Sequence, residues 1–217
     1  MLRQCLQESR VLPVITPGEV AATVQLCRVL AAAGMKAVEL TLRSPSALEV
    51  MRAVAAEVPE LRVAAGTVLT PAQLDQVQAA GALFAVSPGA TAALYRAAHS
   101  AAMPLLPGVA TASEVMAGLD QGLDCFKLFP ASVLGGRELL GALAGPFPQA
   151  SFCPTGGLGA GNFRAFLALS NVICCGGSWM VPADLVGAGD WDTITELAAD
   201  AMRPAPSPGR GDTESRS

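Results

Sequence analysis

The chain has 217 residues, of which 52% are hydrophobic and 15% charged, and it carries a formal net charge of −4. That length buries one large core and lies near the lower end of what an eightfold β/α barrel needs. With no uninterrupted apolar window of about 18 residues and no basic block, the composition predicts neither a membrane span nor a nucleic-acid partner. Residues 1–10 carry Arg3, Gln4, Gln7, Glu8 and Ser9 without an apolar signal core, so secretion is not expected and the cytoplasm is the default location.

From there a short apolar run, a turn and an Ala/Leu-rich amphipathic stretch recur about every 20 to 25 residues, the alternation of βα units. Candidate strands fall at 11–16, 37–42, 61–65, 82–86, 104–106, 124–128, 151–153 and 172–175. Thr16-Pro17, Ser44-Pro45 and Thr70-Pro71 read as helix starts, a cap followed by a proline whose missing N–H costs nothing there. Thr111 with Glu114 fits a capping box, and Gly34, Gly81 and Gly122 read as left-handed helix ends.

Eight such units could close into a barrel or lie open as a doubly wound sheet. No GxGxxG follows the first strand, and polar residues gather at the C-terminal ends of several strands, which favours a single (β/α)8 TIM barrel over residues 1–202. The tail, 203–217, is Pro, Gly, Ser and charge without apolar periodicity and is expected to be disordered.

Cys5, Cys27, Cys125, Cys153, Cys174 and Cys175 form no CxxC pair and sit mostly in apolar runs, as small buried hydrophobes do. With His99 the sole histidine, a zinc or iron site is not expected and no metal enters the reading.

Two of the 14 basic residues are lysines. Lys36 follows the turn at Gly34. Lys127 stands inside the apolar run Asp-Cys-Phe-Lys-Leu-Phe-Pro, where Phe126 and Leu128 share one strand face and Cys125, Lys127 and Phe129 the other. If the bulky pair faces the helices, Lys127 points into the barrel mouth. Desolvation disfavours a charged amine, and a neutral amine attacks carbonyls. The structural alternative is a lysine that snorkels to solvent or pairs with a structural carboxylate.

In 37–43 the faces separate the same way, Val38, Leu40 and Leu42 against Glu39, Thr41 and Arg43. A buried Glu39 is either salt-bridged to Arg43 or a general acid/base facing the lysine, leaving Arg43 for a substrate carboxylate. Thr155-Gly156-Gly157 follows the seventh candidate strand and Gly176-Gly177-Ser178 the eighth, the loops that often bind phosphate in barrels.

On these residues the chain resembles the 2-keto-3-deoxy-6-phosphogluconate (KDPG) aldolases, which overlap in activity with 4-hydroxy-2-oxoglutarate (KHG) aldolases. The resemblance runs from about residue 11 to 201. It rests on Val-Glu-Leu-Thr-Leu-Arg (38–43), Ala-Gly-Thr-Val-Leu (65–69), Ser-Pro-Gly (87–89), Pro-Gly-Val-Ala-Thr (107–111), Phe-Lys-Leu-Phe-Pro (126–130), Cys-Pro-Thr-Gly-Gly (153–157) and Gly-Gly-Ser-Trp (176–179). Each motif is weak alone and the ordered set is specific.

The resemblance implies a homotrimeric, metal-independent and cofactor-free class I aldolase acting on a phosphorylated 2-keto-3-deoxy sugar acid. Lys127 would form the Schiff base and Glu39 would shuttle protons. Arg43 and Thr67 would hold the pyruvate carboxylate, with Pro88 and Phe129 shaping the wall. Thr155 would sit near the substrate hydroxyls, and Gly156, Gly157 and Ser178 would take the phosphate. Leu128 stands where a second Phe is common, and 158–161 is richer in glycine than usual, which bears on phosphate affinity. The alternatives are a galactonate-type aldolase of opposite C4 stereochemistry, a phosphate-barrel isomerase or decarboxylase, and a non-catalytic phosphate-binding barrel.

Overall fold

The computed structural model describes residues 1–204. Its elements, in chain order, are α1 (Leu2–Ser9), β1 (Val11–Ile15), α2 (Val20–Ala32), β2 (Ala37–Thr41), α3 (Ala47–Glu57), β3 (Arg62–Gly66), α4 (Pro71–Ala79), β4 (Phe84–Val86), α5 (Ala92–Ser100) and β5 (Leu105–Leu106). They continue with β6 (Gly108–Val109), α6 (Ala112–Asp120), β7 (Cys125–Leu128), α7 (Gly136–Ala144), β8 (Ser151–Pro154), α8 (Phe163–Leu167), β9 (Cys175–Gly177), α9 (Ala183–Ala188) and α10 (Trp191–Met202).

The strands pair in parallel in two sheets, β5-β4-β3-β2-β1-β9 and β6-β7-β8. Two junctions join the sheets into a barrel. At the first, β5 and β6 are halves of one strand broken at Pro107, which has no N–H for the ladder. Before the proline the strand pairs with β4, and after it with β7, where Lys127 N–H donates to the Pro107 carbonyl at 2.9 Å. At the second, the bridges Phe152↔Val172 and Thr155↔Gly176 tie β8 to the chain entering β9. The eight predicted runs are therefore the eight staves of a closed (β/α)8 barrel.

Several expected boundaries are corrected. The fifth run extends past 104–106 to Val109 with its break at Pro107. The eighth follows β8 at Val172 only as a bridge, then crosses to β1, where Cys175 N–H donates to the Arg10 carbonyl at 2.8 Å and the ladder runs over Cys175–Gly177. Thr16-Pro17 does not start α2; Glu19 caps it, its carboxylate accepting from Ala21 N at 3.1 Å and Ala22 N at 2.7 Å. Those backbone donors hold the Glu19 carboxyl below its ordinary range. Ser44-Pro45 likewise precedes α3, which begins after Ser46 without a side-chain cap bond.

Other expectations match the structure. Thr70 with Gln73 and Thr111 with Glu114 form complete capping boxes. Gly34, Gly81 and Gly122 have φ of 96°, 89° and 76°, a region open mainly to glycine. The tail expected to be disordered lies outside the described residues, apart from Arg203 and Pro204. Among the described residues no helix is long and apolar enough to cross a membrane.

Strand alternation divides the apolar residues between two layers. Val38, Leu40, Val63, Ala65, Phe126, Leu128 and Phe152 face the helices in the outer core. The Leu128 departure from the family pattern is thus a packing position, away from the interior. Leu12, Ala37, Ala64, Phe84, Val86, Leu106, Cys125, Cys153 and Cys174 fill the barrel itself. The first helix was not anticipated. Cys5 and Leu6 of α1 join that inner cluster and close the N-terminal end, Leu6 being fully buried. All six cysteines are buried and free. Burial pushes Cys27 and Cys125 up to about 12, so they stay neutral thiols.

Candidate active site

Two residues beyond Ala37 and Cys125 on the same strand faces stand Glu39 and Lys127. Lys127 Nζ donates to the two Glu39 carboxylate oxygens at 3.0 and 3.3 Å, with the residues 4% and 1% exposed. Such burial excludes a lysine that snorkels outward. It also settles the partner of Glu39: the carboxylate pairs with Lys127, while the Arg43 Nε donates instead to Thr67 Oγ1 at 3.1 Å. A buried ion pair returns little net stability after desolvation. What it does provide is an amine and a carboxyl group within proton-transfer distance in a water-poor interior. The Phe129 ring lies beside the pair, its centroid 5.4 Å from Nζ, within cation–π range.

Room for the carboxylate comes from the next strand. A Cβ at Gly66 would lie 2.4 Å from Glu39 Oε1, so β3 needs a glycine where the glutamate folds over it. Thr67 follows with φ of 60°, a costly conformation for a β-branched residue, and its hydroxyl receives Arg43 there. Backbone strain is therefore stored one residue from the carboxylate pocket. Arg43 is exposed and Thr67 half-buried, both at the C-terminal ends of their strands.

On the other flank, Gly108 pairs with Lys127 in register. A Cβ on Gly108 would strike the Pro88 carbonyl at 2.1 Å, so the Ser-Pro-Gly turn presses onto the strand beside the lysine. Pro88 is half-buried there.

The two glycine loops are brought together by the β8–β9 closure. Thr155, buried, bridges to Gly176, and a Cβ on Gly176 would lie 2.3 Å from Thr155 Oγ1. Gly156 and Gly157 have φ of 96° and 78°. Gly156 lies against Phe129 and its carbonyl accepts from Ser132 N at 3.1 Å, while a Cβ on Gly157 would meet Ser132 Oγ at 2.4 Å. Ser178, exposed after β9, lines a cavity of about 540 Å³ with Thr16, Gly18 and Glu19.

Sequence reasoning missed Gly66, Ser132 and Asn162. Gly66 had a readable signal, a glycine closing an apolar strand. Asn162 braces the glycine-rich stretch: its side chain accepts from Gly159 N at 2.9 Å and donates to the Gly157 carbonyl at 3.1 Å. Those two bonds tie the glycine-rich stretch 158–161 to the end of the preceding loop. Among the described residues no cluster of three or more His, Cys, Asp or Glu is placed to hold a metal ion.

An amine and a carboxyl group paired inside a parallel barrel suit the class of lysine-dependent enzymes, in which the amine attacks a carbonyl and the acid moves protons. The family model for KDPG and KHG aldolase matches residues 2–197, and the chain belongs to that family. It is 51% identical over 195 residues to the KHG/KDPG aldolase of Escherichia coli K12, covering 90% of this chain and 92% of that one. The solved KDPG aldolase of Legionella pneumophila, with pyruvate captured as a covalent carbinolamine, superposes with a TM-score of 0.90 at 42% identity, covering 93% of this chain and 98% of that one. The Zymomonas mobilis KDPG aldolase with 3-phosphoglycerate gives a TM-score of 0.87 at 44% identity, covering 91% and 93%.

Proposed function

We propose that this chain cleaves 2-keto-3-deoxy-6-phosphogluconate to pyruvate and glyceraldehyde 3-phosphate, and that it also splits 4-hydroxy-2-oxoglutarate to pyruvate and glyoxylate. The observation that carries the reading is Lys127 Nζ at 3.0 Å from Glu39 inside the barrel. Transfer of a proton across that contact leaves a neutral amine. Lys127 adds to the C2 ketone, giving a carbinolamine, and Glu39 protonates the departing hydroxyl as water. The resulting iminium is the electron sink.

Glu39, now a carboxylate, takes the C4 hydroxyl proton, directly or through water. The C3–C4 bond breaks, its electrons form an enamine on C3, and the aldehyde leaves. Glu39 returns a proton to C3, and hydrolysis of the iminium frees pyruvate and Lys127. In this reading Arg43 and Thr67 hold the pyruvate carboxylate, and Pro88 and Phe129 shape the wall. Thr155 meets the substrate hydroxyls. Gly156, Gly157 and Ser178 hold the phosphate, supported by the left-handed glycines that leave backbone N–H groups free to face an anion. The enzyme works as a cytoplasmic homotrimer, the assembly implied by the family resemblance.

Borohydride reduction in the presence of pyruvate tests the central step. Intact mass of the wild-type protein gains one reduced pyruvate adduct, and Lys127→Ala gains none while its turnover falls by about 10⁴-fold or more. A single lysine adduct on Lys127→Ala would transfer the chemistry elsewhere.

A further inference from the structure

The N-terminal end of the barrel, opposite the lysine, holds a second polar cavity. It measures about 330 Å³ and is lined by Arg3, Gln7 and Arg10 together with Ser151, Ser170 and Val172. Residues 3, 7 and 10 are spaced by four and three, which puts them on one face of α1 and its C-terminal cap. Ser151 opens β8, and Ser170 and Val172 lie on the chain approaching β9.

The two arginines differ in their partners. Arg3 donates through Nε to Asp124 at 2.8 Å and through Nη1 to Ser151 at 2.9 Å, so its charge is neutralised. Other arginines nearby are paired too, Arg62 with Glu8 and Arg164 with Asp200. Arg10 has no carboxylate within ion-pair distance among the described residues, and its buried Nε has no hydrogen-bond partner. A guanidinium Nε–H shut away from water and left unpaired is unfavourable, and native proteins seldom leave one so.

Arg10 is held in this position by its backbone. Its φ is 53°, its N–H donates to Leu6 at 3.2 Å, and its carbonyl receives Cys175 N–H at 2.8 Å. These bonds fix the root of the side chain at the junction of α1, β1 and β9. The Nη groups of Arg10, which make no hydrogen bond among the described residues, are the donors left for a carboxylate or phosphate oxygen, and serine hydroxyls and the Gln7 amide add neutral donors around them.

We propose that this basal cavity is a binding site for a small oxyanion, a phosphate or a carboxylate, with Arg10 as its principal ligand. The site is separate from the catalytic mouth, so occupancy stabilises the folded barrel by mass action without entering the reaction.

The test is a titration of the full-length protein followed by NMR of arginine Nε–H groups, with the Arg10 signal identified by its loss in Arg10→Lys. Inorganic phosphate, acetate and sodium chloride are added at matched ionic strength. A saturable shift of the Arg10 Nε–H with phosphate alone identifies a phosphate-type ligand, and one with acetate as well identifies oxyanions in general; both support the site. The Ser151 and Ser170 backbone amides shift with it, and in Arg10→Lys their apparent affinity for phosphate falls at least about tenfold through loss of a charge-assisted bond. If that variant does not fold, the wild-type titration decides through the Ser151 and Ser170 backbone amides, whose assignment does not need it. A flat response to both oxyanions, or an equal response to sodium chloride, reduces the effect to ionic screening and overturns the proposal.

Discussion

The lower layer of the barrel interior and the layer just above it are built on the same strands, two residues apart, and differ in almost every property. Below are Ala37, Ala64, Cys125 and Cys153, small and uncharged, with Leu6 of α1 beneath them. Above are Glu39, Gly66, Lys127 and Thr155, which include the buried ion pair. Because side chains alternate with a period of two, each upper residue points the same way as the one below it. The neutral floor is what makes the pair reactive in the proposed mechanism. It closes one end to water, so proton traffic at Lys127 passes through Glu39 and whatever enters from the open end.

After loss of Lys127 itself, removing the acid from the upper layer should have the largest effect. Glu39→Gln keeps the shape and loses the proton carrier, so kcat should drop by about 10²–10⁴-fold in a coupled assay of pyruvate release. A rate close to wild type would mean that water alone moves the protons. Next, Gly66→Ala places a methyl group where Glu39 Oε1 lies and should cost on the order of 10²-fold in kcat by displacing the carboxylate. Unchanged turnover would show that the carboxylate position tolerates such a shift.

Changes below should act on stability first. Leu6→Ala removes a fully buried side chain from the floor and should lower the unfolding free energy by about 2 kcal/mol in urea, at the mild end for such substitutions because α1 can settle into the space. If kcat falls before stability does, the two layers are coupled more closely than their separation suggests.

The effect that vanishes at neutral pH concerns the thiols packed around the barrel. Cys27 is raised by burial from its ordinary value of 9.0 to about 12, so the folded protein keeps a proton that the unfolded chain releases. Stability should therefore be flat below 9.0 and decline as pH rises toward 12, by about 1.4 kcal/mol per pH unit for this thiol. Urea melts of wild type and Cys27→Ala across that window should differ in slope, and parallel curves would contradict the assignment.

Much of this arrangement was legible locally. Periodicity located eight strands, Thr70 and Thr111 marked two helix starts, and alternation put Glu39 and Lys127 on inward faces because a strand separates its two sides by geometry alone. Polar residues at 16–19 misled, since Thr16 offered a cap that Glu19 took by reaching the backbone donors first. The first helix escaped notice because its apolar stripe is short and broken by charge.

By itself, then, the sequence determined where the eight strands fall to within a few residues and which residues share a strand face, Glu39 with Thr41 and Lys127 with Cys125. Tertiary structure alone decided that Glu39 meets Lys127, 88 residues away, instead of Arg43, that Pro107 divides a strand between two neighbours, and that Arg10 Nε is left without a partner among the described residues under the barrel. Those outcomes depend on closing the sheet. Closure sets distances through space between strands remote in the chain, and no local pattern of residues encodes them.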